Sequence, residues 1–408
     1  MTPKIPRAIL LLFAFLFASP AFAQQQFDWP QWRGPNRNGV STETNWVADW
    51  GKKPLKVVWR ANVGDGYSSM STSANRVYTM GNFRDSDTVF CLNDKNGKVL
   101  WRYNYPCAAA DLENFRGPRC TPTVDGNRVY TVSRLGHLLC LNANNGTLLW
   151  TKNLINDYNG RHNYFGLSGS PLVIGNTLIV ETGSAKWSVV GLNKATGRFL
   201  WGNGNNMAGY SSPVPMQFGR EPGVVVLSAQ TVTGRVASNG RVVFRRSWTT
   251  QDGNNVATPL VWQDKVFVSS GYKVGCALLQ VGEGVARPVW SNRNMRNHFS
   301  SSVLIGGHIY GFDESELRCM DLITGTIKWR TRVYLKGSLM GAGDRLIVQS
   351  ETGTLAVVEA SPWKFTEISK SKIFNARRTW TVPVLSNGRI YTRNRASLIC
   401  LQLEQSSE

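Results

Sequence analysis

The chain has 408 residues with 46 Lys or Arg against 26 Asp or Glu, a formal net charge of +20 at pH 7. After the first two dozen residues no apolar run approaches transmembrane length, which excludes a helical membrane protein. The charge favours anionic partners, polysaccharide or cell-surface polymer, with nucleic acid not expected.

Lys4 and Arg7 precede ten apolar residues, Ala8 to Phe17, and Ala21-Phe22-Ala23 follows. This is the pattern of a cleavable secretory signal peptide over residues 1–23, cut near Ala23. The first cysteine is Cys91, so no lipid-anchoring Cys follows the apolar core. A periplasmic or secreted location is the expectation. The stretch DWPQWRGPNRNGVS (28–41) then shows neither a period of 2 nor one of 3.6. Residues 24–54 are read as a Trp/Pro-rich clasp, with Trp29 and Trp32 packed against the fold and Pro30, Gly34 and Pro35 shaping the path.

Internal repeats dominate the remainder. CLNDKNGKVLW (91–101), CLNANNGTLLW (140–150), GLNKATGRFLW (191–201) and CMDLITGTIKW (319–329) align without gaps. In each, a tight Asn/Asp turn carries a glycine four residues before a tryptophan. Degenerate copies close on Phe244, Trp290 and Phe365. Each is preceded by a strand with its own turn, such as DGNRVYTV or SNGRIYTR. Asn-Gly and Asp-Gly supply the positive φ of tight hairpins, so the unit is four short antiparallel strands. One such sheet cannot bury both faces, but a ring of them can. Seven closing aromatics occur, and an eighth unit (TWTVPVLSNGRIYTRNRASLICLQL) lacks its last strand. LKVVWRANVG (55–64), which carries Trp59 with no hairpin before it, would supply that strand. The expectation is an all-β, eight-bladed β-propeller over residues 55–403, its last blade closed by the N-terminal strand, with a short tail at 404–408.

Cys91, Cys140, Cys319 and Cys400 occupy one repeat position, one per blade, and with Cys276 are read as buried thiols. Cys107 and Cys120 bracket an irregular loop and are the candidate disulfide. His137, His162, His298 and His308 are far apart in sequence without metal-ligand spacing, so no metal site is expected. Nucleotide-binding and nucleophile motifs are absent, and the serines of SSMSTS and HFSSS suit the crowded axis of the ring. The segments entering the innermost strands converge on one mouth of the channel. They bring Tyr67, Arg116, Arg119, His162, Tyr164, Tyr210, Asn254, His298, Lys336, Arg378 and Trp380 there as a candidate ligand site. Arg and Lys can hold carboxylate, sulfate or phosphate, and flat aromatics can stack on a sugar or a quinone.

The units resemble the PQQ-like β-propeller repeat, and the opening W-P-x-W-R-G-P resembles secreted members of planctomycete type. The resemblance implies that Trp59, Trp101, Trp150, Trp201, Trp290 and Trp329 dock blade to blade, with Phe244 and Phe365 departing from the motif. Quinoprotein alcohol dehydrogenases in this family carry adjacent cysteines and a Ca²⁺ site beside the quinone. No Cys-Cys pair occurs here. No cofactor is therefore expected, PQQ and calcium being the alternative. Another branch holds an outer-membrane assembly lipoprotein that acts as a scaffold. The reading is an exported monomeric binding or scaffold module for a protein or anionic glycan. The alternatives are a PQQ- and calcium-dependent alcohol or sugar dehydrogenase, and a lyase or hydrolase of acidic polysaccharide using His162, His298, Tyr164 or Tyr210.

Overall fold

Each repeat turn is built by its first residue. Asn93 Oδ1 accepts the amide N–H groups of Lys95 and Asn96 at 3.0 and 3.2 Å. Asn193 and Asp321 do the same in their own turns. These side chains imitate a backbone turn and reverse the chain. The turn ends on a glycine at positive φ, +69° at Gly97, where a Cβ would lie 2.6 Å from the ring of Trp59. The spacing between glycine and tryptophan therefore has two causes: a left-handed turn residue, and an indole from the neighbouring blade lying on it.

The computed structural model describes residues 26–51, 54–109 and 115–406; the expected signal peptide and the last two residues of the tail lie outside them. Strands Ser71–Ser73, Arg76–Phe83, Ser86–Asn93 and Val99–Pro106 form blade 1, paired in chain order. Blades 2 to 7 follow at 123–153, 172–203, 214–247, 260–292, 303–331 and 337–372. Blade 8 takes three strands from 384–402, and its outermost strand is Lys56–Asn62, with Trp59 opposite Cys400. The ring is thus an eight-bladed propeller closed by an N-terminal strand. Blade 7 carries a fifth strand, because Val40–Ser41 pairs in parallel with the inner edge of Gly337–Ala342.

Blade contacts repeat one geometry. Trp59 Nε1 donates to the carbonyl of Asp94 in blade 1 at 2.8 Å, and Trp101 to Ala143 in blade 2 at 2.9 Å. Trp150, Trp201, Trp290 and Trp329 donate to Lys194, Ala237, Leu322 and Ser361, always in the next blade. Phe244 and Phe365 have no N–H to offer; between blades 4 and 5 a backbone bond from Gly284 to Val243 at 2.8 Å stands in its place. Cys91, Cys140, Cys276, Cys319 and Cys400 are buried free thiols. Cys107 and Cys120, expected as a pair, are likewise free, and Cys120 Sγ accepts the amide of Val132 at 3.3 Å.

The N-terminal segment does more than lie against the ring. Residues 27–41 cross the channel and hydrogen-bond to all eight blades. Trp29 pairs with Thr72 of blade 1, Pro30 accepts from Val124 of blade 2, and Phe27 bonds Asn387 of blade 8. Arg37 donates to the carbonyls of Ser170 and Pro171 in blade 3 and of Pro213 in blade 4. Trp32 Nε1 reaches Thr258 of blade 5 at 2.9 Å, Arg33 reaches Ser302 of blade 6 at 2.6 Å, and Gly39 meets blade 7. Both arginines are fully buried, and burial lowers them to about 9, so they stay cationic at neutral pH. Carbonyl dipoles take the place of water around them.

Two outcomes follow. Arg37→Met strands the buried carbonyls of Ser170 and Pro213, while Pro171 keeps the Thr123 hydroxyl, and should cost about 2 kcal/mol or more, since each unsatisfied group costs roughly 1–3 kcal/mol. Deleting 28–41 should lower the melting temperature further, and an unchanged melt would make the segment a leash. Separately, burial between blades 3 and 4 pushes Glu181 up to about 8. A raised carboxyl stabilises fully below its ordinary range and loses that contribution as pH climbs towards the folded value. Glu181→Gln should therefore gain stability relative to the parent between about pH 5 and pH 8, as read by denaturant titration.

Candidate functional site

The innermost strands are short and their entries are hydroxyl-rich for a packing reason. Ser170 Oγ accepts the amide of Thr121, Ser212 Oγ that of Ser170, and Ser301 Oγ that of Thr258, each at 2.9 Å. A small side chain with one acceptor is what a backbone-to-backbone approach at the axis permits. Above these hydroxyls the connectors enclose a cavity of about 410 Å³, within the range of small-ligand sites.

Aromatic rings make its wall. Trp380 lies 4.5 Å from Phe299, 5.6 Å from Tyr67 in a stacked pair, and 6.1 Å from Phe115. Phe165 continues the wall from Phe115 at 5.0 Å to Tyr210 at 5.9 Å. Three cations stand among the rings. Arg119 lies 5.4 Å over Phe165 and is pinned by the carbonyls of Phe115 and Phe165. Burial lowers it to about 10, still charged. Arg378 lies 6.0 Å over Phe115 and Lys336 5.7 Å over Phe299. Among the described residues no Asp or Glu lines the cavity. Its potential is therefore positive.

Lys336 Nζ is 2.9 Å from His298 Nδ1 and 3.6 Å from Glu314, which stands behind the wall. Burial, then the Lys336 charge, holds His298 below the ordinary imidazole range, against a smaller pull from Glu314. The ring is neutral at pH 7, and Tyr272 meets it edge-on at 4.9 Å. Burial raises Tyr67, Tyr210 and Tyr272, so all three phenols keep their protons as donors.

Seven of the expected mouth residues line this cavity: Tyr67, Arg119, Tyr210, His298, Lys336, Arg378 and Trp380. Four do not. Arg116 turns to Asp85 at 3.9 Å, His162 Nδ1 meets the Asn163 carbonyl at 2.7 Å, Tyr164 is 63% exposed, and Asn254 ends a short 3₁₀ turn. The connectors alternate inward and outward, so the neighbours Phe115 and Phe165 point in instead of Arg116 and Tyr164. Tyr272 comes from the hairpin turn 271–274 and carried no mouth signal. Trp32 was expected to pack against the ring, yet it lines the cavity from the plugging segment, while Trp29 is 3% exposed beneath it. His137, His162 and His308 are not brought together with His298. Calcium needs an oxygen-rich ligand set, carboxylates above all. A cavity lined by cations and rings, with no cluster of three metal-ligating side chains among the described residues, does not fit calcium.

Lys336→Met should raise the His298 titration midpoint towards its ordinary value, because the cation that opposes protonation is gone while Glu314 stays. The His298 ring proton shifts followed against pH by NMR read this directly.

Solved structures share this ring. BamB from Moraxella catarrhalis is 16% identical at a TM-score of 0.65, over 87% of this chain and 99% of that one. Quinohemoprotein alcohol dehydrogenase from Comamonas testosteroni is 11% identical at 0.64, over 92% and 80%. A europium-containing methanol dehydrogenase is 11% identical at 0.69, over 93% and 98%. At such identities the likeness is one of fold. No curated protein sequence matches significantly. Residues 109–331, more than half the chain, match the PQQ-repeat family described as outer membrane protein assembly factor BamB. The chain belongs to that family of PQQ-like β-propellers.

Proposed function

We propose that the protein is an exported binding propeller that takes an anionic glycan, bearing uronate or sulfate groups, at the mouth of its central channel. The observation that carries this reading is the cavity lining: three cations set among aromatic rings, with no carboxylate among the described lining residues. Guanidinium and ammonium groups hold carboxylate or sulfate, and ring faces suit the apolar face of a sugar. The N-terminal leader pattern supports export. Kinship with an assembly factor supports a binding role, including one towards a protein partner on the outer surface. A second reading, elimination from a uronate by a lyase, is favoured by neutral His298 beside Tyr272 and cationic Lys336. Its signature would be the ultraviolet absorbance of an unsaturated uronate product.

Calorimetry with galacturonate and sulfated oligosaccharides should show binding that weakens with salt. Arg378→Ala and Lys336→Ala should each weaken it about tenfold or more, as expected for a lost charge-assisted bond, and neutral analogues should not bind. No binding at low salt would overturn the reading.

A further inference from the structure

The N-terminal segment lies in the same channel as the cavity and directly against it. Ser168, Ser212, Thr258, Ser301 and Thr381 line the cavity just before their innermost strands begin. The segment's bonds run from the entries of those strands, at Ser170, Pro213, Thr258 and Ser302, to positions within or beyond them, at Thr72, Val124, Gly341 and Asn387. Between the two lies Trp32, the one residue of the segment in the cavity wall. Its indole N–H is spent on Thr258 Oγ1, and the backbone around it is held by Arg33 and Arg37. Nothing can pass through.

The cavity is also layered. The cations sit on the connectors. Deeper, the entries of the innermost strands line it with the hydroxyl residues Ser168, Ser212, Thr258, Ser301 and Thr381. A sugar ring bearing an acid group matches these layers: an anion for the cations and an apolar face for the indole.

We propose that the N-terminal segment makes the channel a blind pocket, with Trp32 as its specificity-determining floor, so that the protein recognises the end of an acidic glycan chain. This rests on the glycan reading above. An internal sugar would need two exits, and the pocket has one. A chain end enters, its terminal ring between Trp32 and the cationic rim, while the remaining units leave through the mouth.

The test uses galacturonate disaccharide, longer oligomers, and oligomers carrying a bulky aromatic tag at one terminus or at both. The disaccharide should bind within about threefold of the longer chains, and a tag on one of the two termini should abolish binding while a tag on the other is tolerated. Trp32→Ala should weaken the disaccharide about tenfold, the scale of a lost aromatic contact, and Trp32→Phe should restore most of it. Rim variants such as Arg378→Ala should weaken all chains alike. Affinity that climbs steadily with length and survives tags at both ends would overturn the blind pocket while leaving the glycan reading intact. Equal binding by the parent and Trp32→Ala would overturn Trp32 as the floor. Failure of every acidic chain to bind at low salt would overturn both readings together.

Discussion

The ring depends on one contact, made five times: an indole laid on the turn glycine of the next blade, its N–H on a carbonyl of the same turn; Trp329 makes the N–H bond, to Ser361, on a turn without glycine. The glycine has to lack a side chain and has to adopt positive φ, and the indole needs a flat seat and an acceptor. Each requirement fulfils the other. Because the bond always runs forward to the next blade, it is a head-to-tail interaction, and such interactions end only by closing a ring. Trp59 is the last link, reaching from blade 8 onto blade 1. A β-bulge before the aromatic in these outer strands turns the indole inward and leaves pairs such as Val99 and Leu100 outside.

That contact also explains what could be read from sequence. Turn chemistry is local, so a glycine and a tryptophan four residues apart report the blade without knowledge of its neighbours. The count of eight and the closing strand at 55–64 follow from the same pattern. The site was legible only to the level of the segment. DGYSS, NFRGPR, RHNYF and RNHFS do converge, but which side chain of each faces inward is set by contacts with other connectors. Phe115 and Phe165 were passed over for the polar residues beside them, although the cations need those rings as seats. Tyr272 belongs to a hairpin turn with no mark of its own. The place of Trp32 rests on Thr258, 226 positions away, and no local pattern encodes that.

Buried cations without buried anions recur at the axis. Arg33, Arg37 and Arg393 are almost wholly enclosed, and their partners are mainly main-chain carbonyls. Arg393 alone donates to the carbonyls of Ser68, Met80 and Gly64, binding blade 8 to blade 1. Such a cation works as a multi-toothed clip, for a guanidinium offers five donors in a fixed plane. It also adds positive potential below the cavity, offset at Arg393 by nearby Asp65. The mouth inherits a field from its foundations as well as from its rim.

The plug has a consequence for how the molecule comes into being. Its partners reach to the last part of the chain: Phe27 meets Asn387, and after the plug Lys56–Asn62 completes the sheet of Ser397–Gln402. Contacts of such sequence separation are the slowest to form, since the whole intervening loop must be ordered before they yield anything. The residues synthesised earliest are therefore seated last. A growing chain would remain an open arc of blades until its final strand arrived. Only then could the arginines leave water and the ring lock, so the topology itself delays native structure until the polypeptide is complete.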